Sequence, residues 1–579
     1  MLQKCYNGNS PEKSEFIESF YIINCFNNKF YLIFIMKKLL LILLLLPSYL
    51  FANNLGYRLS ILKEQRFLET RNFRTSLWNT GIFNQSIGEV ISPSFEWPVN
   101  SGKYLGISAG LCIGAYMNGN LRIATASYNG EFVPGYVING GGVPIPKTTI
   151  GFHLYKVSKG DNCQNNPDYC NWGDMVLKGA PYNDVNNNEI YDDGIDVPGM
   201  KGASQTIFAF LTDGFQESHN ISEGFSGGTA PLYATVQFVS WAYEIENLED
   251  VQFFRYKVTN MSLIEWKKTY FSLFYHPQIG DSLDDYIGCD TLRRLGYAYN
   301  RDNEDGTGIG NSYGNAPPAV GIKLLNDNLN IGMTSFHYTI PIQSEPCLPC
   351  EELPYNPQEA YNLMRGYKKD NTPWVDATSP TPKPTKYTFP GDPETGQGWT
   401  EYNGIINNCL GSLTGEITPN QSVARTFLMS MGSETLNINS SSYPEFYFAQ
   451  LTAGGNNNKN SVTKLKELAD KVQQFYNNNY TIGINTISSE VPDKFSLYQN
   501  YPNPFNPTTN IKFEIPQSDF INLSVYDLNG RLIEEVVNEN ISTGAYEVKF
   551  SAKNLSSGIY FYHLKTSKFT ETKRMILLK

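Results

Sequence analysis

The chain is poor in charge, poor in histidine and, past its N-terminal leader, without a long apolar run. Charged residues make up only 17% of it, and 45 Lys and Arg stand against 56 Asp and Glu, for a net charge of -11. That balance argues against nucleic acid, which selects basic patches; a mild acidic excess serves mainly solubility. The five histidines, His153, His219, His276, His337 and His563, are scattered, and no His-Glu-x-x-His occurs, which argues against a zincin protease. Gly106-Ile107-Ser108-Ala109-Gly110 has nucleophile-elbow spacing, but 111–116 continues as a strand where an elbow turns into a helix, and no downstream His stands out as a partner. It reads as a glycine-containing strand. Gly306-Thr307-Gly308-Ile309-Gly310 lacks a phosphate-loop lysine. No fixed-period repeat is evident, so neither a propeller nor a solenoid is expected.

What is present favours strands and turns. The 579 residues imply roughly two to four domains. With 41% hydrophobic and 14% aromatic residues, 48 Gly and 32 Pro, the composition predicts a mainly β protein. Strands are expected over 104–116, 121–127, 148–157, 206–212, 232–239, 253–260 and 269–275, several alternating and others apolar on both faces. Two helices are expected, at 359–367 and at 461–476. The second places Leu465, Leu468, Val472 and Phe475 on one face, with Ser461 as its cap. Residues 53–480 read as one large β-rich, sandwich-like region, 481–494 as a linker, and 495–579 as a small immunoglobulin-like β-sandwich.

Met36-Lys37-Lys38, the apolar run 39–46 and Pro47-Ser48-Tyr49-Leu50-Phe51-Ala52 have the anatomy of a signal peptide over 36–52. Residues 1–35 then read as a wrongly assigned extension. The rival, a membrane anchor over 31–51, is interrupted by Lys37 and Lys38. No later run can span a bilayer, so the mature chain is expected to have no transmembrane segment. Seven cysteines follow the leader: Cys112, Cys163, Cys170, Cys289, Cys347, Cys350 and Cys409. For an exported chain, Cys163 with Cys170 and Cys347 with Cys350 read as two local disulfides, with a four-thiolate zinc site as the alternative. The odd count leaves at least one thiol over.

Two acidic stretches are candidate cation sites. Asp184, Asn186 and Asn188 stand at alternate positions, followed by Asp192, Asp193 and Asp196. Short oxygen-bearing side chains in a loop converge on one point and suit calcium, with the carbonyl of Ile190 filling in. The pattern departs from the EF-hand, because Glu189 replaces the turning Gly and Ile195 the bidentate Glu. An Asx-rich turn is the alternative. The second and weaker candidate is Asp281, Asp284, Asp285 and Asp290, four carboxylates within ten residues that repel unless solvated or bridged by a cation. On a strand, Asp284 and Asp285 would point apart.

The last stretch organises the chain. Ile511, Phe513 and Ile515 alternate, as do Leu523 and Val525, and Asp527-Leu528-Asn529-Gly530 makes a hairpin turn. Tyr501-Pro502-Asn503-Pro504-Phe505-Asn506-Pro507-Thr508-Thr509, Gly530, Gly544, Gly558, Tyr560 and the terminal residues Met575 to Lys579 together resemble the type A C-terminal sorting domain of the type IX secretion system, over 495–579. The resemblance implies export across the inner membrane by the leader, then passage through the outer membrane by this domain. The machinery there would be the partner, and the protein would be released or fixed to surface lipopolysaccharide. Less specifically, 184–205, 279–300, Ala316-Pro317-Pro318-Ala319-Val320-Gly321 and 390–399 resemble uncharacterised cargo proteins of the same kind. Those relatives tend to be acidic where His276 and Gln278 stand here. The expectation is a secreted or surface-attached β protein, structural or adhesive, with no enzymatic activity and with calcium in a structural role. The alternatives are a hydrolase of polysaccharide or protein, and a nutrient-binding protein.

Overall fold

Many central strands show little alternation because both of their faces are buried. The strand Lys267–Pro277 has only its first two residues exposed. Phe271, Leu273 and Tyr275 enter one apolar cluster and Tyr270 and Phe274 another, as side chains at successive strand positions must. The computed structural model describes residues 64–579 apart from 88–90, 139–152, 187, 220–223, 226, 307–310, 342–348, 412, 421–422, 479, 481–484, 489–491, 542 and 553–554. The leader at 36–52 and residues 1–35 lie outside the described residues, as does Cys347.

Two wide antiparallel sheets form the central region. The first has the order Gln65–Glu69, Arg74–Trp78, Phe95–Glu96, Tyr104–Met117, Lys267–Pro277, Thr426–Gly432 and Ser335–Thr339, with Asn120–Thr125 paired to Tyr104–Met117. The second runs Asp285–Asp290, Leu295–Asn300, Ala319–Asp327, Glu445–Ala453, Val251–Asn260, Ala234–Ala242, Gln205–Thr212 and Val133–Pro134, with Tyr155–Ser158 paired to Gln205–Thr212. The sheets pack face to face. Phe271 of the first meets Phe446 of the second at 4.9 Å between ring centroids, and Phe254 stacks on Phe448 at 5.2 Å within the same interior. Each large side chain buried there stabilises by about 1.5–3 kcal/mol.

The outer faces are covered by helices. Phe253, next to Phe254, points the other way and packs against Phe475 of the helix Asn458–Asn477. The short helix Pro357–Met364 lays Tyr361 and Met364 over Phe274 and Leu428 of the first sheet. Both helices appear where the periodicity placed them, but the long one begins earlier. Asn457 is its cap, accepting the Asn460 N–H, while Ser461 lies inside the first turn and donates to Pro317 O at 2.8 Å. Gly110 sits mid-strand because the backbone of Ala126 crosses there: a Cβ would stand 2.2 Å from Ala126 O. Ser108 of the elbow-like pentapeptide is buried and donates to Gln85 Oε1 at 2.9 Å, as expected of a strand residue.

A polar seam fastens one sheet to the other. Asn84 donates to Gln450 Oε1 at 2.7 Å, Gln450 to Gln252 Oε1 at 2.9 Å, and Gln252 to Ser240 Oγ at 3.0 Å; Thr75 donates to Asn84 Oδ1 at 2.8 Å. All five are buried. A satisfied buried network penalises any register that would leave one member unbonded.

Of the two expected disulfides, Cys163–Cys170 is present. The other differs: Cys350 is bonded to Cys409, 59 residues away, not to Cys347. With Cys163, Cys170 and Cys350 all in disulfides, the four-thiolate zinc alternative fails. The long bridge ties the segment around Pro349–Glu351 to the turn Cys409–Gly411. In the chain-entropy picture a loop of that length is worth about 4 kcal/mol. Cys112 and Cys289 are buried thiols.

The C-terminal region is a sandwich of two four-stranded sheets with its own apolar core. One sheet has the order Asn485–Ser488, Gly544–Ser551, Thr508–Ile515, Ser496–Leu497; the other Leu532–Ile541, Asp519–Tyr526, Gly558–Lys565, Thr570–Leu577. Its first strand, Asn485–Ser488, comes from the stretch read as a linker over 481–494, so part of that stretch belongs to the sandwich. Gly530 has φ +77° in the hairpin turn, where Asp527 Oδ1 accepts the N–H groups of Asn529 and Arg531.

Candidate functional site

The sorting motif is a strap across the small sandwich. Of 501–507 only Phe505 is buried, at 2% exposure, whereas Tyr501 is 82% exposed. Phe505 bonds the C-terminal strand through both backbone groups, its N–H to Ile576 O at 2.9 Å and its carbonyl to the Leu578 N–H at 3.0 Å. Asn503 Oδ1 accepts the Ile576 N–H at 2.9 Å. The other side of the strap is held by the opposite sheet. Tyr501 pairs its backbone with Asn510, and Pro507 O accepts the Ala552 N–H at 2.8 Å. Asn500, buried just before the motif, donates to Pro502 O at 3.1 Å and Thr509 Oγ1 at 2.9 Å, and its N–H reaches the Tyr562 hydroxyl at 2.9 Å. The proline-rich stretch and the last strand are therefore one unit, joining the two sheets. Gly544 and Gly558 open strands, Tyr560 packs in the core and donates to Ser556 O, and the Lys579 N–H reaches Ser557 Oγ at 2.9 Å. Asn500 and Tyr562 were not singled out from the sequence, although Asn500 directly precedes the motif.

The first acidic loop is an ordered turn. Asp184 accepts the N–H groups of Asn188 and Glu189, and Glu189 takes φ +62°, the conformation usually left to glycine. Asn186 and Asn188 both reach Asp192 Oδ2 at 2.7 Å, while Asp196 accepts from Val185 and Asp192. Asp184, Asn186, Asn188, Asp192 and Asp196 thus share one loop, with Ile190 exposed on it. Their donor chemistry suits a hard cation. No three of these carboxylates, however, bring oxygens within 4.8 Å of one another.

The second stretch is divided by its strand. Asp290 is taken by Arg293, at 2.8 Å from Nη1, which overcomes the effect of burial and holds the Asp290 carboxyl below its usual range. Asp285 is buried and accepts the Ile279 N–H at 2.9 Å, while Asp284, on the other side of the chain, accepts from Asn300 and Gly306. Asp305 joins instead, accepting the Asp281 N–H at 3.0 Å. A Cβ on Gly306 would stand 2.6 Å from Asp281 Oδ2 and 3.1 Å from Asp284 Oδ2. Burial, followed by the neighbouring carboxylates, pushes Asp284 up to about 6 and raises Asp285 well above the ordinary range. Asp281, Asp284 and Asp305 thus lie near one another, with Asp285 behind them and Asp290 apart, but here too no three of these carboxylates bring oxygens within 4.8 Å of one another.

Three buried ionic sets had no local signal. Arg425 Nε meets Glu401 Oε1 at 3.1 Å and Lys368 Nζ meets Glu351 Oε1 at 2.6 Å, all four side chains 1% exposed or less. His219 lies between two carboxylates, with Nε2 2.8 Å from Asp213 O and 3.5 Å from Asp213 Oδ2, and Nδ1 3.4 Å from Glu131 Oε1. Burial alone would lower its pKa. The hydrogen bond and charge of Asp213, then the charge of Glu131, outweigh burial and push His219 up to about 9. A histidine whose folded pKa is raised stabilises most below its unfolded value and loses that contribution as pH rises through the folded one. Stability is therefore expected to fall between about pH 6.5 and 9, by on the order of 3 kcal/mol, and His219→Gln to flatten that slope in denaturant titrations. An unchanged slope in the variant would show that the charge is not held there.

Together, the two-sheet central region and the strapped terminal sandwich define a β protein that ends in a small module with its own core. Residues 499–578 match the family model described as "Secretion system C-terminal sorting domain". The chain is a type IX secretion cargo protein, bound for the cell surface or the medium. No curated protein matches it. Among solved structures, PorZ of Porphyromonas gingivalis, an essential bacterial surface component of the type-IX secretion system, aligns at 10% identity over 89% of this chain and 58% of its own, with a TM-score of 0.13, too low to carry any argument. This chain thus spans less than two thirds of that protein. No helix among the described residues is long and apolar enough to cross a membrane.

Proposed function

We propose that the exported protein is a structural or adhesive component of the outer cell surface, without enzymatic activity. The supporting observation is the build of the central region: two broad sheets clasped by a buried polar seam, with buried ionic groups engaged inside the protein, Glu401 with Arg425 and His219 between Asp213 and Glu131. Such groups hold loops rather than face a substrate. The leader at 36–52 would take the chain through the inner membrane, and lipopolysaccharide is the proposed surface partner. The test uses the full secreted chain, offered to intact cells and to polysaccharide and protein substrates. Saturable binding without release of reducing ends or peptides is the expected result; turnover would favour the hydrolase reading instead.

Calcium is proposed to tighten the loop of Asp184, Asn186, Asn188, Ile190, Asp192 and Asp196, drawing the carboxylates closer than they stand. Titration calorimetry is expected to give a dissociation constant of about 0.1–1 mM, the range of extracellular modules, and Asp184→Ala to abolish it. Absence of heat up to about 10 mM calcium would remove the proposal. Asp281, Asp284 and Asp305 form the weaker cation candidate, to be told apart by whether a second binding step survives Asp184→Ala.

A further inference from the structure

The outward run 501–504 has little backbone with which to hold itself. All four residues are exposed, and Pro502 and Pro504 bring no N–H. Its middle is pinned by side chains instead. Pro502 O accepts from Asn500 Nδ2 at 3.1 Å and from Thr509 Oγ1 at 2.7 Å. Asn500 Nδ2 also donates to Thr509 Oγ1 at 2.9 Å, and Asn500 Oδ1 accepts from Gln499 Nε2 at 2.6 Å. Gln499 Nε2 reaches on to Arg574 O of the last strand at 2.8 Å. Both donors and the oxygen of the Asn500 amide are therefore used. Tyr562 fixes the backbone of the same residue: its hydroxyl accepts the Asn500 N–H and donates to Tyr498 O, both at 2.9 Å.

Asn500, Thr509 and Tyr562 are all buried. Bonds held away from water are strong, and their loss leaves groups that solvent does not readily satisfy. Thr509 stands on the strand Thr508–Ile515 of one sheet and Tyr562 on Gly558–Lys565 of the other. The set closes only when both sheets are in place.

We infer that Asn500, Thr509 and Tyr562 are positioning residues for type IX export, a clamp that holds the exposed run 501–504 in the shape the outer-membrane machinery accepts. Being buried, they act through the run they hold. The shape of that run then depends on assembly of both sheets, so an unfolded terminal domain presents no acceptable signal. The role differs from that of Phe505, which supplies apolar burial, and it is independent of what the central region does outside the cell. The residue types suit the task. Aspartate has the size of Asn500 but neither donor, and valine has the shape of Thr509 without its hydroxyl.

The test pairs export of the full chain from its own cells with amide hydrogen exchange in the purified protein. Asn500→Asp, Thr509→Val and Tyr562→Phe are each expected to speed exchange of the Tyr501 and Asn510 amides, which bond across the strap, by roughly fivefold to tenfold, the scale of one hydrogen bond. The exported fraction is expected to fall with it. Thr509→Ser keeps the hydroxyl and is expected to restore both readouts. Ile521→Val controls for stability alone. Its side chain is buried in the same core, but its strand, Asp519–Tyr526, carries no member of the clamp. Export at the wild-type level is expected there despite a lower melting temperature. Undiminished export in clamp variants whose strap amides exchange faster would overturn the inference. So would equal loss of export in Ile521→Val at a matched melting temperature, or unchanged exchange in all three clamp variants. If Asn500→Asp does not fold, Thr509→Val against Thr509→Ser carries the same comparison.

Discussion

Phe505→Ala is expected to keep the protein inside the cell. The ring is the one buried side chain of 501–507, lying 6.2 Å from Phe550 within the small core. Truncating a buried phenylalanine costs about 3–5 kcal/mol, through lost transfer energy and the cavity left behind. A domain of this size has only about 5–15 kcal/mol in total. Loss of the ring also loosens the strap, because Phe505 is where the proline-rich stretch meets Ile576 and Leu578. The last strand would then lose one of its two neighbours. Cell fractionation and thermal unfolding measure the two effects together. Tyr501→Ala is the control: at 82% exposure it should leave stability within about 0.5 kcal/mol. Export lost in Tyr501→Ala, with folding intact, would mean that this ring is read directly; export retained in Phe505→Ala would show that the strap is dispensable.

The second large effect is expected at Arg425→Met. Its guanidinium and the Glu401 carboxylate are completely buried, and Glu401 also accepts the Ile287 N–H at 2.6 Å and the Asn420 amide. Removing one partner of a buried pair leaves an uncompensated charge and costs about 3–5 kcal/mol. The size should depend on pH in a stated direction. Burial pushes Glu401 up to about 7 even though Arg425 opposes it. Without Arg425 the carboxyl rises further and stays protonated in the folded chain. Near pH 5 it is protonated in both proteins, so the deficit is smaller; near pH 8 the wild type gains the ion pair and the variant does not, so the deficit grows. Replacing both residues with apolar ones, Arg425→Met with Glu401→Leu, should recover much of the loss. A deficit that shrinks as pH rises would contradict this account.

Features legible in the residue order were those whose partners are close in the chain. Cys163 and Cys170 bridge seven positions, Asp527 caps its own hairpin, and Asp184 to Asp196 form a single loop. The strands were legible as elements, since apolar runs between glycine and proline turns have few other folds open to them. Errors came where a distant residue competed successfully. Cys350 pairs across 59 residues and Asp305 displaces Asp290 as the neighbour of Asp281, while the bond from Asn84 to Gln450, across 366, had no signal in the residue order at all. The cap is Asn457 rather than Ser461, because the helix starts about two turns before its apolar period becomes visible at Leu465.

From residue order alone came the β class, the type IX address and its motif, because proline and glycine constrain the backbone locally and the motif residues sit close together. The three-dimensional arrangement decided which carboxylates share a site, which thiols are joined, and which charges are buried in pairs. Those outcomes depend on burial and on proximity across hundreds of positions, and neither quantity is carried by neighbouring residues.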